Sequence, residues 1–174
     1  MIFVHDTRDR ESKHTNVDAY LLSHGHKIVR SKLFVGDLAL LHNQSVVVDL
    51  KADVMELILD ICHDHPRFRD ECIRAAENDI RLFVVVEEKL PDNDLSKWRP
   101  PLWRYDTPAH KAGEPMTKAS PANIKSAMQT MESKYGVRFA FCSPDQTGAL
   151  VCRLLEVPDG CNAGCGTYPS IGSG

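Results

Sequence analysis

Asp37, Asp49 and Lys51 are the residues whose types and spacing most plainly offer chemistry. Asp49 and Lys51 stand two apart in a stretch (45–51) rich in β-branched residues, and residues two apart on a strand project from one face. They end an apolar run, Val46-Val47-Val48, where a carboxylate and an ammonium are costly to bury unless each finds a partner. Asp37 opens the preceding strand, so hairpin pairing sets it beside Asp49. Two carboxylates a few ångströms apart repel, and a divalent cation relieves that repulsion. Hard oxygen ligands of this kind suit Mg²⁺ or Mn²⁺, completed by water and a phosphate oxygen. Lys51 would then position or help deprotonate an attacking water, or stabilise charge building on a phosphate. Spacing alone also fits, and rather favours, a surface Asp49–Lys51 ion pair with Asp37 capping a turn, since two-residue charge pairs on strands are common.

The elements that must position these residues follow from periodicity. Residues 2–5 read as a short strand. A helix containing Val17, Tyr20, Leu21 and Leu22 stops at Gly25. Strands over 28–35, 38–41 and 45–51 form a three-strand meander, with Gly36-Asp37 and His42-Asn43-Gln44 at its joints. A long helix from about Val54 to Asn78 carries Leu57, Ile61, Phe68, Cys72 and Ala75 on its buried stripe, with a break near His65 imposed by Pro66. Residues 80–87 are a near-continuous apolar strand, as expected where both faces are covered. Ser120-Pro121 opens a helix lined by Ile124, Ala127, Met128, Met131 and Tyr135 and ended by Gly136. A strand over 137–142 and a helix over 147–156 complete an α/β domain, a mixed central sheet flanked by helices. The domain spans 1–157, and 158–174, rich in Gly, Ser and Pro, reads as a disordered tail.

The composition of the 174 residues fits one compact domain. A formal net charge of −3 excludes a globally basic nucleic-acid coat, so any nucleic-acid contact needs a local basic surface or a bound cation. No apolar run has the length of a membrane span, and residues 1–10 lack the apolar core of a signal peptide, which makes the cytosol the expected compartment. Cys62, Cys72, Cys142 and Cys152 fall inside periodic patterns, where cysteine behaves as a small buried hydrophobe; all six cysteines read as reduced.

The run Asp6-Thr7-Arg8, then Val35-Gly36-Asp37, then Val48-Asp49-Leu50-Lys51 resembles the XPF-type (xeroderma pigmentosum group F) nuclease domain of the PD-(D/E)XK superfamily, in the short stand-alone versions of phages and prophages. Arg67-Phe68 with Glu71, Glu87, and Lys134-Tyr135-Gly136-Val137-Arg138-Phe139 extend the resemblance over roughly residues 1–156. It implies a restriction-endonuclease-like core and a Mg²⁺- or Mn²⁺-dependent DNA endonuclease acting on branched, flap or junction DNA. Asp37 and Asp49 would be its metal ligands and Lys51 its catalytic lysine, with Asp6 and Arg8 as further site residues. A homodimer through the nuclease domain is compatible with it. Leu50 and Met55 stand where the family pattern has an arginine and an acid, and Glu56 lies beside the second of these. The alternative within the same fold is a DNA-binding module that has lost cleavage.

Other signals admit two readings. Arg67 and Glu71, four apart on a helix, mark either the edge of the active site or an exposed ion pair. Glu87 is either structural or an acid behind the ligands. Lys97, Arg99, Arg104 and Lys111 interleave with Trp98, Trp103 and Tyr105 in a long proline-rich loop, either to grip DNA or because the aromatics pack the loop down. His63 and His65 point apart, and Cys161 and Cys165 have no second ligand pair in the tail to make a zinc site.

Overall fold

The computed structural model describes residues 1–9, 13–63, 65–100 and 120–156, without the side chains of residues 62, 63 and 65. The segments 101–119 and 157–174, with Trp103, Arg104, Tyr105, Lys111, Cys161 and Cys165, lie outside the described residues.

Strands β1 (Ile2–His5), β2 (Lys27–Arg30), β3 (Leu38–Leu40), β4 (Asn43–Lys51), β5 (Arg81–Val86) and β6 (Arg138–Phe141) form one sheet in the order β2-β1-β3-β4-β5-β6. β3 runs antiparallel to both its neighbours, and the other pairs are parallel. The described α-helices are α1 (Thr15–Ser23), α2 (Val54–Ile58), α3 (His65–Glu77), α4 (Pro121–Tyr135) and α5 (Thr147–Leu155). This is the mixed α/β sheet that the sequence predicts, with one change of topology. The three-strand meander does not form, because β2 pairs with β1 rather than β3. Helix α1 supplies the crossover that a parallel β1–β2 pair requires. β2, with a charged residue at each end and no fully buried position, suits the sheet edge, whereas Phe3 and Val4 of β1 are buried.

Alternation along β4 divides its side chains between two cores. Val46, Val48 and Leu50 pack with Val17 and Leu21 of α1 and Val151 and Leu154 of α5. Val47 packs on the other face with Leu57, Phe68 and Cys72 of the α2–α3 region and Met128 of α4. Asp49 and Lys51 therefore rise on the α2–α3 face, at the carboxyl end of the strand.

The expected long helix is interrupted before Pro66. A π-helical segment, Leu59–His63, joins α2 to α3. Proline has no N–H and crowds the carbonyl four residues back, and a widened turn ahead of it accommodates both defects. The other boundaries follow local chemistry. Ser120 Oγ caps α4 by accepting from Asn123 N, and Gly136 ends it at φ +71°. Cys72, Cys142 and Cys152 are free thiols. Among the described residues no helix is long and apolar enough to cross a membrane.

Candidate active site

The β3–β4 hairpin builds the site. Leu38 pairs with Val48, so Asp37, one step earlier, arrives beside Asp49. The chain enters this position through Gly36 at φ +68°, where a Cβ would stand 2.3 Å from Val47 Cγ1 and 3.0 Å from Val48 O. Only glycine fits there. The joint is fastened on both sides: Asp37 N donates to Val48 O, Asp6 N donates to Asp37 O, and Gly36 N donates to Glu71 Oε1 at 2.7 Å.

Asp37 is half-buried and its Oδ2 accepts the Leu50 N–H at 2.8 Å. Burial, helped by the nearby Asp9 carboxylate, raises its carboxyl above the ordinary range, against the pull of the Leu50 N–H, Lys51 and His14. Asp49 is buried and raised further, by burial first and then by Asp37 and Glu71, with Lys51 opposing. Its Oδ2 lies 2.8 Å from Lys51 Nζ, and no other donor reaches that buried oxygen among the described residues. Lys51 is raised: burial works against its charge, but Asp49 at 2.8 Å and Asp60 at 2.6 Å outweigh it. One ammonium shared between two carboxylates stays charged while leaving Asp49 incompletely neutralised.

Around these three lies a cleft of about 260 Å³. Arg8, Lys13, Arg67 and Arg74 face it together with Asp9, Glu56, Asp60 and Glu71. Arg67, its side chain 75% exposed, stands 3.4 Å from Asp60, and Arg67 and Glu71 both line the cleft. Asp60 has no counterpart in the sequence reading. Its buried carboxylate comes from the π segment, and the one signal for it was an acid among the apolar positions of a helix.

Asp6 lies close by but is not among the residues lining the cleft. Its oxygens accept from Arg8 N, Nε and Nη2 and from Leu33 N at 2.6–3.0 Å. Burial would raise this carboxyl, but these donors hold it below the ordinary range. Asp6 thus orients Arg8, whose half-exposed guanidinium also donates to Leu33 O. Glu87 accepts from Asn16 Nδ2 at 2.6 Å and pairs with His14, tying the start of α1 to the end of β5, which is its structural reading.

Lys97 and Arg99 are not brought to the cleft: Lys97 pairs with Asp92, and Arg99 donates to the carbonyls of Ser96 and Trp98. Trp98 is buried, with Nε1 donating to Glu88 Oε1 at 2.6 Å, so this aromatic packs its loop onto the domain. A larger groove of about 920 Å³ borders β6 and α5, with aliphatic and aromatic walls that include Leu90, Phe139 and Leu150, and it is remote from the paired carboxylates.

Whether Asp37 and Asp49 fit a divalent cation is decided by their donor set. Among the described residues no group of three or more His, Cys, Asp or Glu side chains forms a complete cage. Mg²⁺ needs no such cage, because it is commonly held by one or two carboxylates, waters and substrate phosphates. Two carboxylates raised chiefly by burial, one of them with a buried oxygen that only the Lys51 ammonium approaches, meet that requirement.

No family model matches the chain, and no curated protein matches it in sequence. Solved structures do match. XPF from Aeropyrum pernix aligns with a TM-score of 0.59 at 20% identity, covering 89% of this chain and 63% of that one. XPF from the same organism in complex with DNA aligns with a TM-score of 0.58 at 19% identity, covering 88% of this chain and 62% of that one. The likeness is one of fold, and the chain spans less than two thirds of the length of those chains. It bears out the XPF-type, restriction-endonuclease-like fold that the sequence resemblance implies.

Proposed function

We propose that this chain is a Mg²⁺- or Mn²⁺-dependent DNA endonuclease, acting in the cytosol on branched, flap or junction DNA, with a role in phage replication or recombination. The observation that carries the proposal is the Asp37–Asp49 pair, pressed together beside a lysine that stays charged. The fold shared with XPF, one of whose structures is a complex with DNA, supports DNA as the partner.

Asp37 and Asp49 would hold the cation, which supplies Lewis acidity at the phosphate and a more acidic water. Lys51 would supply a positive charge beside the phosphate, stabilising negative charge that builds on it. Arg8, oriented by Asp6, and Arg67, which also lines the cleft, would grip backbone phosphates and set the strand along it. Glu71 keeps the Gly36-Asp37 joint in place through Gly36 N.

The test is cleavage of flap, fork and four-way junction DNA by the purified chain with Mg²⁺ or Mn²⁺. Asp49→Ala should abolish cutting while circular dichroism and the melting transition remain those of a folded protein. DNA binding without cutting in either metal would replace the proposal with the non-cleaving DNA-binding module.

A further inference from the structure

Lys51 and a cation would both be drawn to the same oxygen. Asp49 Oδ2 is the atom the ammonium touches at 2.8 Å, and no other donor reaches that buried oxygen among the described residues. With Asp49 as its only partner, Lys51 would compete with a metal for that site. Asp60 changes this. Its Oδ2 stands 2.6 Å from Lys51 Nζ, from a different element and closer than Asp49. The Phe68 ring, 5.5 Å from Nζ, packs against the ammonium as well. Asp60 Oδ1 turns outward to Arg67 at 3.4 Å.

The segment that delivers Asp60 is itself unusual. Buried aspartates are rare unless paired, and Asp60 is 6% exposed while its neighbour Leu59 is 52% exposed. Asp60 lies in the π-helical segment Leu59–His63, and such single widened turns are concentrated at functional sites.

We propose that Asp60 is a positioning residue that anchors Lys51 independently of Asp49, leaving Asp49 Oδ2 available to a divalent cation while the ammonium stays at the cleft. This inference rests on the endonuclease reading for its catalytic consequence but not for its effect on metal binding.

The experiment uses the full chain with Asp60→Asn, which keeps shape and removes charge, and Asp60→Glu, which restores charge. Mn²⁺ affinity is measured without DNA by calorimetric titration, kcat and KM on junction DNA in excess Mn²⁺, and Tm in EDTA. Asp60→Asn should weaken Mn²⁺ binding and lower kcat, each by about 10- to 100-fold, the range found for partners that orient site groups from behind. KM should change much less, and Asp60→Glu should recover part of both losses. A lowered Tm with wild-type Mn²⁺ affinity and wild-type kcat would make Asp60 a structural ion pair and overturn the proposal. If the wild-type chain binds Mn²⁺ but does not cut, the endonuclease reading fails alone and the affinity of Asp60→Asn still decides this one. A wild-type chain that neither binds Mn²⁺ nor cuts overturns both.

Discussion

Replacing Asp37 by Asn should stabilise the metal-free protein and remove its response to metal. The carbonyl of Asn keeps the hydrogen bond that Asp37 Oδ2 accepts from Leu50 N, so the hairpin loses little geometry. What disappears is one of two facing negative charges. Two unit charges roughly 6 Å apart at an effective dielectric of about 20 repel by about 3 kcal/mol. Asp37 is only partly buried, and its charge also attracts Lys51 and His14, so the net gain reduces to about 1 kcal/mol. For a domain of this size that is a rise of about 2–4 °C in Tm. Addition of Mn²⁺ should reverse the order. At about 100 times its Kd, a cation bound only by the native wild type stabilises it by about 2.7 kcal/mol, and the variant gains little. Melting both proteins in EDTA and in Mn²⁺ therefore gives a crossing. The pH dependence has a definite sign. A carboxyl raised by folding contributes stability that is present below its unfolded pKa, about 3.9, and lost as pH rises through the folded value. The advantage of Asp37→Asn in EDTA should accordingly shrink as pH falls toward 4. A variant that melts below wild type in EDTA at neutral pH, or gains as much from Mn²⁺, would refute the crowded-carboxylate reasoning.

Gly36→Ala puts a Cβ 2.3 Å from Val47 Cγ1 at a positive φ; urea unfolding should show a loss of about 1–3 kcal/mol, with cleavage reduced because Asp37 is displaced. His5 is buried with Nδ1 3.0 Å from Asp18 and Nε2 3.0 Å from Asp9; burial lowers its pKa, but these two carboxylates outweigh it and the net shift is upward. A raised histidine contributes stability that is fully present below its unfolded pKa, about 6.5, and lost as pH rises through the folded value. Urea midpoints should fall from pH 6 toward alkaline pH in wild type and change less in His5→Gln.

The parts of the site legible in the sequence were those fixed by local geometry. Asp49 and Lys51 share a face because a strand alternates, and Asp37 follows from one hairpin, so three residues close in sequence define the centre. Asp60 was hidden because it depends on the phase of a helix, and that phase changes at the π segment. A regular 3.6-residue repeat read through residues 54–78 has no way to register the widened turn. Asp6 lies outside the cleft lining for a related reason. Turn geometry after β1, not the strand pattern, directs Asp6 back to Arg8 and Leu33 while Asp9 faces the cleft.

The position of β2 in the sheet leaves the centre of the site untouched. Chain order suggests a meander of β2, β3 and β4, but β1 stands beside β3, because a short helix between two short strands carries no mark of whether the second strand returns parallel or turns back. The edge character of β2, with Lys27 and Arg30 at its ends, was the available clue. Neither Asp37 nor Asp49 depends on β2, however. Their proximity needs only the β3–β4 pairing and the Gly36 joint, and β1 enters by clamping Asp37 O through Asp6 N. The chemistry is thus concentrated in the most local pairing of the sheet, and the longer-range elements act on it from behind: β1 through Asp6, α3 through Glu71, and the π segment through Asp60. Substitutions at those supports should alter how the carboxylates and lysine are held before they alter whether the fold forms.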